Sequence, residues 1–199
     1  MFYDKSERQE ELAALRGWLT EQARGRTILE IAAGTGYWTE VAATVAKSVT
    51  ATDYNPEMLA IAARRVSGEH VALNVADAYC LPSFDVVFDC GMAHMWWSHV
   101  EKQRQDQFLG HFCSRLGAGA RILMIDQTYV EGLTSPIHRE DASGNLYALR
   151  RLINGATYEI IKNYPSSDEL RDTFARCCED VEVVRLTHFW ALSARVGAQ

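Results

Sequence analysis

No long hydrophobic run interrupts this sequence: none of its apolar stretches approaches the roughly 20 residues that a membrane-spanning helix needs, so a membrane protein is not expected from the 199 residues. Basic residues are scarce relative to acids, 20 Lys and Arg against 26 Asp and Glu, for a formal charge of −6. The adjacent basic pairs Arg64-Arg65 and Arg150-Arg151 are too short to form the clustered Lys and Arg that a phosphate backbone demands. Nucleic acid is therefore an unexpected partner. The five cysteines are odd in number and lack any Cys-x-x-Cys pair, so neither a disulfide framework nor a zinc site is predicted. Cys80, Cys90, Cys113, Cys177 and Cys178 read as free thiols packed like small hydrophobes. The first residues, Met1-Phe2-Tyr3-Asp4-Lys5-Ser6-Glu7-Arg8, lack the apolar segment of a signal peptide, which points to a cytoplasmic protein. Repeats, linkers and low-complexity tracts are missing as well. A single domain over residues 1–199, acting as monomer or homodimer on a small molecule, is the expectation.

What is present is a repeated pattern of apolar runs that end in acids. The run Thr27-Ile28-Leu29-Glu30 leads into a small-residue loop, Ile31-Ala32-Ala33-Gly34-Thr35-Gly36, which lets backbone approach a ligand closely. Two later runs, Val49-Thr50-Ala51-Thr52-Asp53 and Val71-Ala72-Leu73-Asn74-Val75-Ala76-Asp77, do the same. Three consecutive strands would thus deliver Glu30, Asp53 and Asp77 to one rim. The loop alone leaves a nicotinamide or flavin site open.

Helical patterns separate these runs. Leu12, Leu15 and Leu19 recur at helical spacing over residues 6–23, residues 38–47 suit a second helix, and Asn55-Pro56 starts a third with a capping residue followed by proline at the first helical position. A fourth strand is predicted over residues 85–90, a helix over 100–116 with Phe108, Leu109, Phe112 and Leu116 on one face, and a fifth strand over 121–126. Alternation of this kind implies a parallel sheet covered on both faces, with ligands beyond the carboxyl ends of the strands. Residues 127–165 break the rhythm, with turn signals around a helical piece predicted over 146–153. Tyr147, Arg150, Arg151, Asn154, Tyr158 and Lys162 recur there partly at spacings of three or four, which would place several on one helical face. A helix capped by Ser166 or Ser167 over 167–178 and two antiparallel runs, 181–187 and 188–196, complete the pattern.

On these residues the chain resembles the class I S-adenosylmethionine-dependent methyltransferases, in particular the small-molecule branch that includes the ubiquinone and menaquinone methylases. The resemblance covers residues 26–126 best. The family's acid-x-Gly-x-Gly-x-Gly motif falls on Glu30, Ala32, Gly34 and Gly36, with alanine in place of the first glycine. Its fourth motif falls on residues 84–94. The resemblance implies an α/β fold, a single Rossmann-like doubly wound seven-stranded sheet, mostly parallel with the last strand antiparallel, in the order 3-2-1-4-5-7-6. It also implies S-adenosyl-L-methionine as cofactor, S-adenosyl-L-homocysteine as product, no metal, and in-line methyl transfer to an O, N, S or C atom of a small acceptor.

Residue by residue, the resemblance assigns Asp53 to the ribose hydroxyls, Asp77 with Ala78 to the adenine, and Glu30 to bracing the loop. Trp38, Tyr54 and Met58 become walls for adenine and ribose, and Cys90 joins the cofactor site from the fourth strand. His94 matches a histidine suited to act as general base. Trp97, Tyr147 and Arg150 are the candidate acceptor contacts, an arginine there favouring an acidic acceptor, with residues 127–165 as the substrate-recognition insertion. Three other readings use the same loop: an NAD(P)-dependent oxidoreductase, a propylamine transferase, and a protein that binds S-adenosylmethionine without turnover.

Overall fold

The computed structural model describes residues 2–151 and 155–197. In chain order its main elements are α1 (Gln9–Ala23), β1 (Thr27–Glu30), α2 (Tyr37–Ala43), β2 (Ser48–Asp53), α3 (Pro56–Arg65), β3 (Val71–Val75), β4 (Cys90–His94), α4 (Gln105–Cys113) and β5 (Arg121–Gln127). They continue with β6 (Ile137–Glu140), β7 (Leu146–Arg151), β8 (Thr157–Ile161), α5 (Ser167–Phe174), β9 (Cys178–Arg185) and β10 (Phe189–Val196). Seven strands form one sheet in the order β3-β2-β1-β4-β5-β10-β9. The first five are parallel, and β10 runs antiparallel to both β5 and β9. Renumbered over the sheet alone, this is the expected 3-2-1-4-5-7-6 order, and the α/β, Rossmann-like expectation holds.

The central strands are continuous buried runs because helices cover both faces of the sheet. One layer sets Leu12, Leu15 and Leu19 of α1, with Trp38 and Ala42 of α2, against Ile28, Val49 and Leu123. The other packs Phe108, Phe112, Leu170 and Phe174 of α4 and α5 against Leu29, Ile122, Trp190 and Leu192. α4 lies so close to β4 that a Cβ on Gly91 would come within 2.7 Å of Phe112 and Leu116. Local signals set the helix starts. Asn55 Oδ1 accepts from the Glu57 amide at 2.8 Å before Pro56. Ser166 and Glu169 form a reciprocal capping box, with donor–acceptor distances of 3.1 and 2.7 Å.

Three expectations need correction. The fourth strand begins at Cys90, where residues 85–90 were expected to form it; Val86 and Val87 are 49% and 77% exposed, and the strand proper is the buried run Cys90–His94. The helix expected over 100–116 begins as a short 3-10 turn, Lys102–Arg104, and is α-helical only over Gln105–Cys113; α2 and α5 likewise end short of 47 and 178. The helical piece over 146–153 is instead β7, the centre of a three-stranded antiparallel sheet β6-β7-β8. Partners supplied by distant Thr157–Ile161 and Ile137–Glu140 override the helical propensity of Leu146-Tyr147-Ala148-Leu149-Arg150-Arg151. Ile153 and Asn154 lie outside the described residues. Among the described residues no helix is long and apolar enough to cross a membrane.

Candidate active site

The carboxyl ends of β1, β2 and β4 carry Glu30, Asp53 and His94 to one rim, with Asp77 just beyond β3. Asp53 fastens the loop that follows β1. Its Oδ2 accepts from the Gly34 amide and its Oδ1 from the Asn55 amide, both at 2.8 Å, while the Ala33 amide donates to the Thr52 carbonyl at 2.9 Å. The loop turns through left-handed conformations at Ala32 (φ 52°) and Gly34 (φ 56°). Ala32 therefore stands where the motif's first glycine is conformationally favoured, and an L-residue there costs about 1–2 kcal/mol. A Cβ on Gly34 would meet nothing within 4 Å, whereas one on Gly36 would sit 2.9 Å from the Ala62 Cβ. Gly34 leaves space at the rim, and Gly36 lets α2 approach α3.

Two adjoining cavities meet at Ala32. The first, about 360 Å³, is an apolar slot lined by Asp53, Tyr54, Ala76, Asp77, Ala78, Tyr79 and Trp96. Asp77 Oδ1 accepts from the Tyr79 amide at 2.8 Å, which fixes its carboxylate at the slot. The second, about 290 Å³, is walled by Glu30, the 32–35 loop, Trp38, Met58, His94, Arg150 and Lys162, with Tyr3 and Gln127 at its edge. Tyr3 stacks on Tyr37 at 3.9 Å between ring centroids and accepts from Trp38 Nε1 at 3.2 Å, so the N-terminal segment closes one side of this chamber.

The chamber wall holds polar atoms that the described residues leave without hydrogen-bond partners. They are both ring nitrogens of His94, which are buried; the buried Glu30 carboxyl has the Thr39 hydroxyl as its neighbour. Leaving such groups unpaired costs about 1–3 kcal/mol each. Burial pushes the Glu30 carboxyl up to about 8 and the His94 imidazolium down to about 3. His94 is thus a neutral ring, 5.3 Å between centroids from Trp38. Lys162 reaches the chamber from beyond β8, its Nζ donating to Ser98 Oγ at 2.7 Å and lying 3.4 Å from Asp126 Oδ1. Burial would raise Asp126, but Lys162, His99 and the Ser98 amide together hold its carboxyl below the ordinary range.

Of the residues singled out in the sequence, Glu30, Ala32, Gly34, Trp38, Asp53, Tyr54, Met58, Asp77, Ala78, His94 and Arg150 line these two cavities. Cys90 does not. It opens β4, paired with Ile28 and Arg121 at the amino end of the sheet, because the strand starts where it was expected to end. Gly36 serves helix packing, as above. Trp97 is buried between Phe108 and Phe174, a core residue away from the chamber. Tyr147 lies one strand position out of phase with Arg150: its ring carries the Arg139 guanidinium 3.6 Å from its centroid, and its hydroxyl donates to Asp141 Oδ2 at 3.0 Å. Residues three apart share a helix face but oppose each other on a strand. Lys162, singled out with the 127–165 segment, also lines the chamber; Tyr3 in the chamber was missed, and for Trp96 in the slot the available signal was its aromatic character beside the fourth motif.

Residues 28–119, from β1 past α4, match the family model described as a methyltransferase domain. These residues form a class I S-adenosylmethionine-dependent methyltransferase domain. Among solved structures, the chain is similar to the DhpI–SAH complex, at 26% identity over 96% of this chain and 86% of that one, with a TM-score of 0.77. The DhpI–SAM–HEP complex follows at 25% identity, 97% and 88% coverage and a TM-score of 0.75. CalS10, a SAM-bound amino pentose methyltransferase from Micromonospora echinaspora involved in calicheamicin biosynthesis, shares the fold at 19% identity, 98% and 93% coverage and a TM-score of 0.64. No curated protein matches in sequence. The rim fits the S-adenosylmethionine that the DhpI and CalS10 complexes hold: the Asp53 and Asp77 carboxylates at the slot and the open space beside Gly34 suit a donor-rich ligand lying against the loop. The oxidoreductase reading is set aside by these matches. They do not narrow the class to the ubiquinone and menaquinone branch.

Proposed function

We propose that this methyltransferase, acting as one unit over residues 1–199, methylates a small anionic acceptor held between His94 and Arg150. The observation that carries the reading is that the motif loop, Glu30, His94, Arg150 and Lys162 share one chamber. S-adenosylmethionine supplies an electrophilic methyl group on its sulfonium. Asp53 accepts from the ribose hydroxyls, Asp77 from the adenine amine beside Ala78, and Glu30 braces the loop and orients the amino group. Trp38, Tyr54 and Met58 wall the site, with Trp96 across the slot.

Lys162 is matched by Asp126, so Arg150 is the chamber's unmatched cation among the described residues and suits an acidic acceptor. His94, held neutral to about pH 3, is a weak base, and an acceptor that arrives already deprotonated needs no stronger one. The imidazole orients the acceptor through a hydrogen bond, and the buried wall excludes water. Holding the two reactants in line supplies about 7–11 kcal/mol of the barrier. Residues 127–165, as β6, β7 and β8, are the acceptor-recognition element.

The test is transfer of a labelled methyl group to a panel of small carboxylic and phosphoric acids beside their neutral amide or alcohol counterparts. Acids are the expected acceptors. Arg150→Met should raise the acceptor KM about 10- to 100-fold, the worth of one charge-assisted contact, with S-adenosylhomocysteine affinity unchanged. Equal turnover of neutral acceptors, or an unchanged KM in Arg150→Met, would overturn the anionic reading.

A further inference from the structure

Far from the cofactor rim, three of the five cysteines converge. Cys113 ends α4, Cys177 lies in the turn after α5, and Cys178 opens β9 opposite Val196, at the amino edge of the sheet. The Cys113 and Cys177 sulfurs are 3.7 Å apart, as are those of Cys177 and Cys178, and all three lie within 4.8 Å of one another. None is in a disulfide. Cys113 and Cys178 are buried and Cys177 is half-buried, against an open depression of about 380 Å³ that also exposes Arg176 and Glu179.

We propose that Cys113, Cys177 and Cys178 form a three-thiolate site for a zinc-sized, thiophilic divalent cation. Four ligands at a Zn–S distance of about 2.3 Å and tetrahedral angles put neighbouring sulfurs about 3.8 Å apart; the two 3.7 Å separations match that edge, and the third pair lies within 4.8 Å. Three sulfurs supply one face of the tetrahedron. The fourth position opens to the depression, where water completes the shell. Soft thiolates select such an ion over magnesium or calcium.

The charge balance is workable. Binding displaces the thiol protons to solvent: one divalent cation and three thiols give a three-thiolate complex of charge −1 and three protons. The ion would tie α4, the turn after α5 and β9 together, beside the Arg176–Asp106 ion pair that already joins that turn to α4.

The test uses the full chain, reduced and freed of metal. Addition of Co(II) should produce a near-ultraviolet thiolate-to-cobalt charge-transfer band that Zn(II) abolishes by displacement. Zn(II) should shield three of the five thiols from a disulfide reagent, release protons at neutral pH and raise the unfolding temperature. Cys177→Ser and Cys113→Ala should each lose the band, whereas Cys80→Ser should keep it. Should either variant fail to fold, thiol protection and proton release in the unaltered protein decide the matter. No charge-transfer band with thiols left fully reactive in excess Zn(II), or the same band in a variant lacking all three cysteines, would overturn the site and leave three thiols in packing contact. S-adenosylhomocysteine affinity, read in parallel, reports on the opposite rim and keeps the two conclusions separate.

Discussion

Asp53→Asn is the perturbation that most sharply separates a ligand-binding carboxylate from a loop acid. In the structure both Asp53 oxygens accept backbone amides at 2.8 Å, from Gly34 and Asn55, while the same carboxylate lines the slot. Asparagine keeps the size but loses the charge, and its NH2 must face one of those two N–H donors. Weakening two charge-assisted contacts to the ribose costs about 1 kcal/mol each, and setting donor against donor at the loop adds about 1–2 kcal/mol. The sum, about 3–4 kcal/mol, predicts S-adenosylhomocysteine binding weaker by about 140- to 700-fold. Calorimetric titration reads it, with thermal unfolding as the check on folding. Asp89→Asn is the control: Asp89 Oδ1 accepts the Thr27 amide at 2.9 Å at the opposite end of the sheet, so it should lower stability and leave affinity alone. Binding within twofold of the parent in Asp53→Asn, or equal weakening in Asp89→Asn, would refute the reasoning.

The two motif glycines should behave differently. Gly34→Ala carries a left-handed strain of about 1–2 kcal/mol and fills the space left for the cofactor, so cofactor affinity should fall more than stability. Gly36→Ala drives a methyl against Ala62, so its unfolding temperature should fall most; the opposite ranking would reverse the assignments. Ala32→Gly relieves a φ of 52° at the expense of about 0.4–1 kcal/mol of unfolded-state entropy, and chemical denaturation should show stability unchanged or up to about 1 kcal/mol higher. A clear loss would mean that the Ala32 methyl packs usefully.

His94 and His99, pushed down to about 3 and about 4 by burial, stay neutral in the folded chain while the unfolded chain takes up protons below about 6.5. Stability therefore falls as pH drops from 6.5, each ring contributing up to about 1.4 kcal/mol per unit. Glu30, pushed up to about 8, acts oppositely between 4.5 and 8, so the variant is compared with its parent. His94→Asn should flatten the acid limb of denaturant-measured stability between pH 4.5 and 6.5, and an unchanged slope would place His94 in solvent.

The parallel half of the fold was readable because strands buried on both faces appear as unbroken apolar runs, and because each run ends in the acid that reaches the rim. Val86, Val87 and Phe88 misled for the same reason: a run of apolar residues looks like a strand whether or not its side chains are buried, and Val87 is mostly exposed. Residues 146–151 misled because the partners that make them a strand lie in segments 137–140 and 157–161, beyond the reach of local periodicity. That error put Tyr147 beside Arg150, when only Arg150 reaches the chamber. The cysteine cluster was hidden because Cys113 meets Cys177 and Cys178 only once α4 and α5 pack on the same face of the sheet. Tyr3 was missed because nothing in an N-terminal tyrosine foretells that it will stack on Tyr37.

The most direct measurement is calorimetric titration of the purified protein with S-adenosylmethionine, S-adenosylhomocysteine and NAD in parallel. The account predicts one site per chain for the first two and no heat of binding from NAD. Binding of NAD alone would keep the fold but contradict the roles given to Glu30, Asp53, Asp77 and His94.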